Sequence, residues 1–163
     1  MVRVTVVNLG LDRSTNTPVV VLQEEGGDRT LQIFIGAPEA NAIAIELRGD
    51  KPARPMTHDL FRQVIEGLGG SLRRVNITGI RENTYLAELL VNRGEQVLEV
   101  DARPSDSIAL ALRFDAPIFL NEELFGDADA MPGPPPDEEA ADADALKRFL
   151  SRLNPEDLGR FQP

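Results

Sequence analysis

At 163 residues the chain is long enough for one domain with a core of its own and an appendage. It contains no cysteine, which excludes disulfides, thiolate metal sites and cysteine nucleophiles, and its net charge of −10 opposes non-specific attraction to nucleic acid. No run of about 18 consecutive apolar residues occurs, and the N-terminus opens on strand pattern rather than a leader, so a cytoplasmic protein that does not enter a membrane is expected.

Val2, Val4 and Val6 alternate with Arg3 and Thr5, the period of a half-buried strand, and the polar stretch Asp12 to Thr17 leads to a second strand, Val19 to Gln23. Gly26-Gly27 can take positive φ, so the third strand, Leu31 to Ile35, should return as a hairpin. A helix then starts at Pro38, with Glu39 in its positive first turn, and its body from Ala40 to Leu47 is apolar enough to be buried on two sides. Arg48 to Pro55 reads as a loop. Thr57 can cap the next helix, with His58 and Asp59 in its first turn and Leu60, Phe61, Val64, Ile65 and Leu68 on one stripe; Gly69-Gly70 ends it.

Three more strands are expected, Leu72 to Ile80, Thr84 to Val91 and Glu95 to Asp101, with turns at Glu82-Asn83 and Arg93-Gly94. The run Ile108 to Leu112 is apolar on almost every side, as in a helix packed on more than one face. Between strand and helix stand Arg103, Pro104, Ser105 and Asp106: the proline holds Arg103 extended, Ser105 is suited to cap, and Asp106 falls in the first turn. A short strand, Pro117 to Leu120, comes next, then a helical turn capped by Asn121.

The order is three strands and a helix, a linking helix, then three strands and a helix again. Placing Asn41-Ala42-Ile43-Ala44 on Asp106-Ser107-Ile108-Ala109 sets Ile33 and Ile35 on Leu98 and Val100, the pattern of an internal βββα duplication. The expected class is α+β, with a mixed or antiparallel sheet and both apolar helices buried. Residues 1–126 form the domain. Residues 127–144 are acidic and proline-rich, the composition of a flexible linker, and residues 127–163 together carry half of the net negative charge. Residues 145–163 hold an amphipathic helix whose Leu146, Phe149, Leu150 and Leu153 should dock on the domain or on a neighbouring subunit.

There is no phosphate-cradling glycine loop, no His-Glu-x-x-His and no Gly-x-Ser-x-Gly. Two similar segments stand out instead, Arg54-Pro55-Met56-Thr57-His58-Asp59 and Arg103-Pro104-Ser105-Asp106. Each carries Arg-Pro, a hydroxyl residue and a first-turn aspartate, and the two are expected to converge in space. One reading is structural: two capped helices whose aspartates pair with Arg54 and Arg103. The other gathers Asp59, Asp101, Asp106 and Glu39 around a hard divalent cation, Mg or Mn, with the arginines facing a phosphate and His58 moving a proton.

The blocks Ile33-Phe-Ile-Gly-x-x-Glu-Ala40, Arg54-Pro-x-Thr-His-Asp-Leu60 and Val100-Asp-Ala-Arg-Pro-Ser-Asp-Ser-Ile-Ala-Leu-Ala-Leu112, with Pro117-Ile118 after them, resemble the bifunctional nuclease domain family. The tail resembles that of actinobacterial members. The resemblance implies hydrolysis of DNA and RNA, and it points to Glu39, Arg54, Thr57, His58, Asp59, Asp101, Arg103, Ser105 and Asp106. Ser107 departs from the family's usual alanine. Thr57, Ser105 and the two arginines would contact substrate; His58 and the aspartates would carry the chemistry. Two functions from different classes fit: a metal-assisted nuclease, working as a homo-oligomer with a dimer favoured, or a non-catalytic regulatory or ligand-binding oligomeric module. The absence of Trp and the single Tyr85, which leave little for base stacking, favour the second.

Overall fold

The computed structural model describes residues 1–127 and 143–152. Strands β1 (Val2–Asp12), β2 (Thr17–Glu24) and β3 (Thr30–Phe34) form an antiparallel meander, and helix α1 (Ala37–Leu47) comes after it. Helix α2 (Thr57–Gly67) links this half to a second meander, β4 (Gly70–Arg81), β5 (Thr84–Arg93) and β6 (Gln96–Ala102), which runs into α3 (Pro104–Phe114). Strand β7 (Ile118–Leu120) then enters the middle of the sheet, antiparallel to β1 and parallel to β4. The short helix α4 (Leu124–Asp127) and the tail helix α5 (Ala143–Arg152) complete the described chain.

The seven-stranded order is β3-β2-β1-β7-β4-β5-β6, so the halves are disposed symmetrically about β7, each a three-stranded meander and then a helix. That is the arrangement a duplicated βββα unit gives. Helices α1 and α3 pack on each other, with Ala40, Ile43, Ile108 and Ala109 fully enclosed beside Leu22, Leu31, Val75, Ile77 and Leu120 of the sheet. Apolar residues on nearly every side leave these helices no stable position except inside. The α+β class with two buried helices is therefore observed as expected.

Local chemistry explains the turns. The carboxylate of Asp12 accepts the backbone N–H groups of Ser14 and Thr15, both at 2.8 Å, and closes the β1–β2 reversal. Glu82 and Asn83 both take positive φ, 50° and 58°, as the mirror-image hairpin turn requires. The helix starts differ from expectation. The residues flanking α1, α2 and α3 at their N-termini are Gly36, Met56 and Arg103; Thr57 and Ser105 lie inside their helices and neither caps. In α2 the carboxylate of Asp59 does that work instead, accepting the Met56 N–H at 2.9 Å; in α3 Pro104 at the first position removes one of the donors a cap would serve.

Leu146 of α5 is buried against β1, and Phe149 and Leu150 pack beside it on the core, so the tail helix docks on its own domain. Leu153 and most of the expected linker lie outside the described residues. Among the described residues no helix is long and apolar enough to cross a membrane.

Candidate functional site

The two Arg-Pro blocks converge through the starts of α2 and α3. His58 Nε2 lies 3.0 Å from Asp106 Oδ1, and Asp106 Oδ2 accepts the Arg103 Nε–H at 2.8 Å. Arg103 Nη1 in turn stands 2.9 Å from Glu39 Oε1 in the first turn of α1. Four expected residues from three helix starts thus form one chain, His58–Asp106–Arg103–Glu39. An ionised carboxylate can only accept, so in the neutral ring Nε2 carries the hydrogen and Nδ1 keeps the lone pair. Burial opposes ionisation of Asp106, but the hydrogen bonds from Arg103 and His58 and the charges of both outweigh it and hold the carboxyl below its usual range. Hydrogen bonding to Asp106 correspondingly raises Arg103.

This chain of charges opens on a groove of about 640 Å³ lined by Thr57, His58, Asp101, Arg103 and Asp106 and walled by Phe61, Leu89, Val100 and Leu110. A second, smaller groove on the far side of Arg103 is bordered by Glu39 and by Ser105, which is itself almost fully enclosed. Two of the apolar walls come from the pairing of β5 with β6, which sets Leu89 opposite Val100, and the other two from Phe61 of α2 and Leu110 of α3.

Two expected residues lie elsewhere. Arg54 is exposed, lines neither groove and forms no ion pair with any described residue. Asp59 turns away from Asp106 to Arg113, whose Nε–H reaches Asp59 Oδ1 at 2.6 Å. Arg113 is not among the residues that the sequence singles out. It is 5 % exposed and donates also to the backbone carbonyls of Ala109 (2.9 Å) and Ala42 (3.1 Å), while its own carbonyl accepts from Arg62 Nη1 at 2.9 Å. One guanidinium so joins α1, α2 and α3. The signal that could have found it is spacing: seven residues after Asp106, two helical turns, Arg113 shares the face that α3 presents to α2. Burial opposes ionisation of Asp59; Arg113, the Met56 N–H and the charge of Arg62 outweigh that and keep this carboxyl low as well.

The donor set expected for a Mg or Mn ion does not assemble. Among the described residues no three His, Asp or Glu side chains form a group that could hold a metal. Asp59 is committed to Arg113, Asp106 to His58 and Arg103, and Glu39 to Arg103, so three of the four proposed ligands already have cationic partners. Asp101 shares the groove with Asp106 without completing such a group.

Fold and site together define an α+β domain in which helix starts present a His–Asp–Arg chain at the edge of an apolar-walled groove. The model of the bifunctional nuclease domain matches residues 20–132, and the chain belongs to that family. It is 42 % identical, over 97 % of its length and 98 % of the relative's, to an uncharacterized protein of Mycobacterium tuberculosis. It is 25 % identical to a protein of Oryza sativa subsp. japonica named Bifunctional nuclease 1, over 93 % of this chain and 46 % of that one. A second rice protein, Bifunctional nuclease 2, is 27 % identical over 70 % of this chain and 36 % of its own length. The chain thus spans less than half of the plant proteins it matches.

Proposed function

We propose that the chain is a nuclease that hydrolyses phosphodiester bonds of DNA and RNA at the groove beside His58. The observation that carries this reading is the His58–Asp106–Arg103 chain on the groove wall, in a protein whose family and plant relatives bear the nuclease name. Asp106 fixes the ring so that Nδ1 takes a proton from a water. The water oxygen bonds to phosphorus, the bond from phosphorus to the leaving oxygen breaks, and the leaving oxygen takes a proton from solvent. Arg103, held by Glu39 and Asp106, faces the charge that grows on the phosphoryl oxygens.

The test is cleavage of end-labelled single-stranded DNA and RNA by the purified chain, with Mg²⁺, with Mn²⁺ and with a chelator. His58→Gln should lower the rate by a factor of about 10² to 10⁴, with the melting temperature unchanged. Cleavage that survives both His58→Gln and Arg103→Ala refutes the assignment.

Three observations favour a second reading, a non-catalytic ligand-binding module. The site's carboxylates are largely neutralised by arginines, the chain as a whole carries −10, and Phe61, Leu89, Val100 and Leu110 suit a small apolar ligand better than a phosphate backbone. Failure of the unaltered chain to cleave under all three conditions selects it.

A further inference from the structure

Helix α2 turns its polar side inward. His58, Asp59 and Arg62 face α3, and of its apolar residues Ile65 alone packs on the core. Leu60, Phe61, Val64 and Leu68 are 55, 49, 48 and 62 % exposed. Leu98 and Val100 of the edge strand β6 are exposed as well, and because Phe61 and Val100 line one groove the two patches are continuous. These side chains leave on the order of 500 Å² of apolar surface in water, near the top of the range for the largest patch on a monomer and more than half of what one partner contributes to a standard interface.

We propose that a second copy of this chain covers this face, the two α2 helices crossing antiparallel about a two-fold axis at Val64. Helix α2 is complementary to its own reversal about that residue. Leu60 of one copy meets Gly67 and Leu68 of the other, and Phe61 meets Leu68 beside the half-buried Ile65, so that the glycine receives a large side chain at each end of the crossing. Gly67 supports this independently. It lies within the helix, its φ is not positive, and a Cβ added there meets nothing within 4 Å, so neither the backbone nor this chain's own packing calls for glycine. The open space there leaves room for the close approach of a second helix. The tail helix, the other amphipathic element described, is already docked on β1. Since Phe61 belongs both to this face and to the groove wall, the second copy would stand at the mouth of the groove beside His58.

The cysteine-free sequence makes the test direct. Val64→Cys should form a disulfide-linked dimer under mild oxidation, because residues on a two-fold axis face their own copies, whereas Glu66→Cys, on the opposite side of α2, should not. Light scattering at micromolar concentration should report a dimer for the unaltered chain and a monomer for Val64→Asp, with far-ultraviolet circular dichroism unchanged. A monomeric unaltered chain, equal cross-linking at both positions, or a dimer that persists in Val64→Asp overturns the proposal. So does unfolding of Val64→Asp together with failure of Val64→Cys to cross-link, the outcome expected if residues 153–163 of the same chain cover the face.

Discussion

Arg113→Ala should be the most damaging single substitution among the charged residues of the site. The side chain is 1 % exposed and makes three hydrogen bonds, to Asp59 Oδ1 and to the carbonyls of Ala42 and Ala109, so its removal takes one donor from a carboxylate and from each of two helix carbonyls. Breaking a buried ion pair from one side costs about 3 to 5 kcal/mol. Asp59 keeps the Met56 N–H and a quarter of its side-chain surface stays in water, which places the expectation at the lower end, about 3 kcal/mol. For a chain of this size that corresponds to a fall in melting temperature of roughly 6 to 12 °C. Urea unfolding at pH 7 would read it as a lower midpoint with an unchanged slope. Asp59→Asn combined with Arg113→Ala should cost less than the sum of the two alone, because each single change already breaks the pair. A loss below about 1 kcal/mol for Arg113→Ala, in the range of surface pairs, would refute the view that this guanidinium fastens the three helices.

By contrast Arg103→Ala should cost at most about 1 kcal/mol, since that side chain is 65 % exposed and its pairs with Glu39 and Asp106 are screened by water; cleavage should fall while the urea midpoint barely moves. Acid should weaken the fold through Asp59 and Asp106. Their folded-state pKa values are depressed, so their stabilisation is complete above the ordinary value of 3.8 and drains away as pH falls through the lowered values, and Arg113→Ala should flatten the part due to Asp59 in a pH series of melting temperatures. Ser107→Ala should raise stability by about 1 kcal/mol, because the hydroxyl is fully enclosed with no hydrogen-bond partner, and a lower urea midpoint would contradict that. Hydrogen exchange should show protection at Leu146 and Leu150, and exchange there as fast as in a free peptide would rule out docking of α5.

The fold is legible wherever one periodicity rules a segment. Alternation marks β1, near-continuous apolar runs mark α1 and α3 as buried, and Glu82-Asn83 and Arg93-Gly94 mark turns that the backbone takes with positive φ. Residue type alone misplaces the caps at Thr57 and Ser105. A helix start is a competition among nearby acceptors, and the longer reach of Asp59 back to Met56 wins it in α2. That the two Arg-Pro blocks meet is also legible, since two first-turn charges beside core elements need partners. Which charge meets which is not, because it depends on the rotation of α2 about its own axis.

That rotation links the site to the open surface. Had α2 turned Leu60, Phe61, Val64 and Leu68 to the core, as an isolated amphipathic helix does, the side carrying His58, Asp59 and Arg62 would have faced solvent and none could have reached α3. Asp59 and Arg62 instead point at the end of α3 and are held there by the side chain and the carbonyl of Arg113, which carries His58 to Asp106. The hydrophobic stripe is thereby left outside. Charge pairing of about 3 kcal/mol at Arg113 stands against four large side chains that are about half exposed and would each gain on the order of 1 kcal/mol on complete burial, so the two terms are comparable and a cover over the stripe would favour the observed rotation further. The proposed second copy would supply that cover without displacing His58. If the proposed dimer forms, weakening the Arg113 anchor should loosen it along with the fold, and dilution should lower the melting temperature of Arg113→Ala more steeply than that of the unaltered chain.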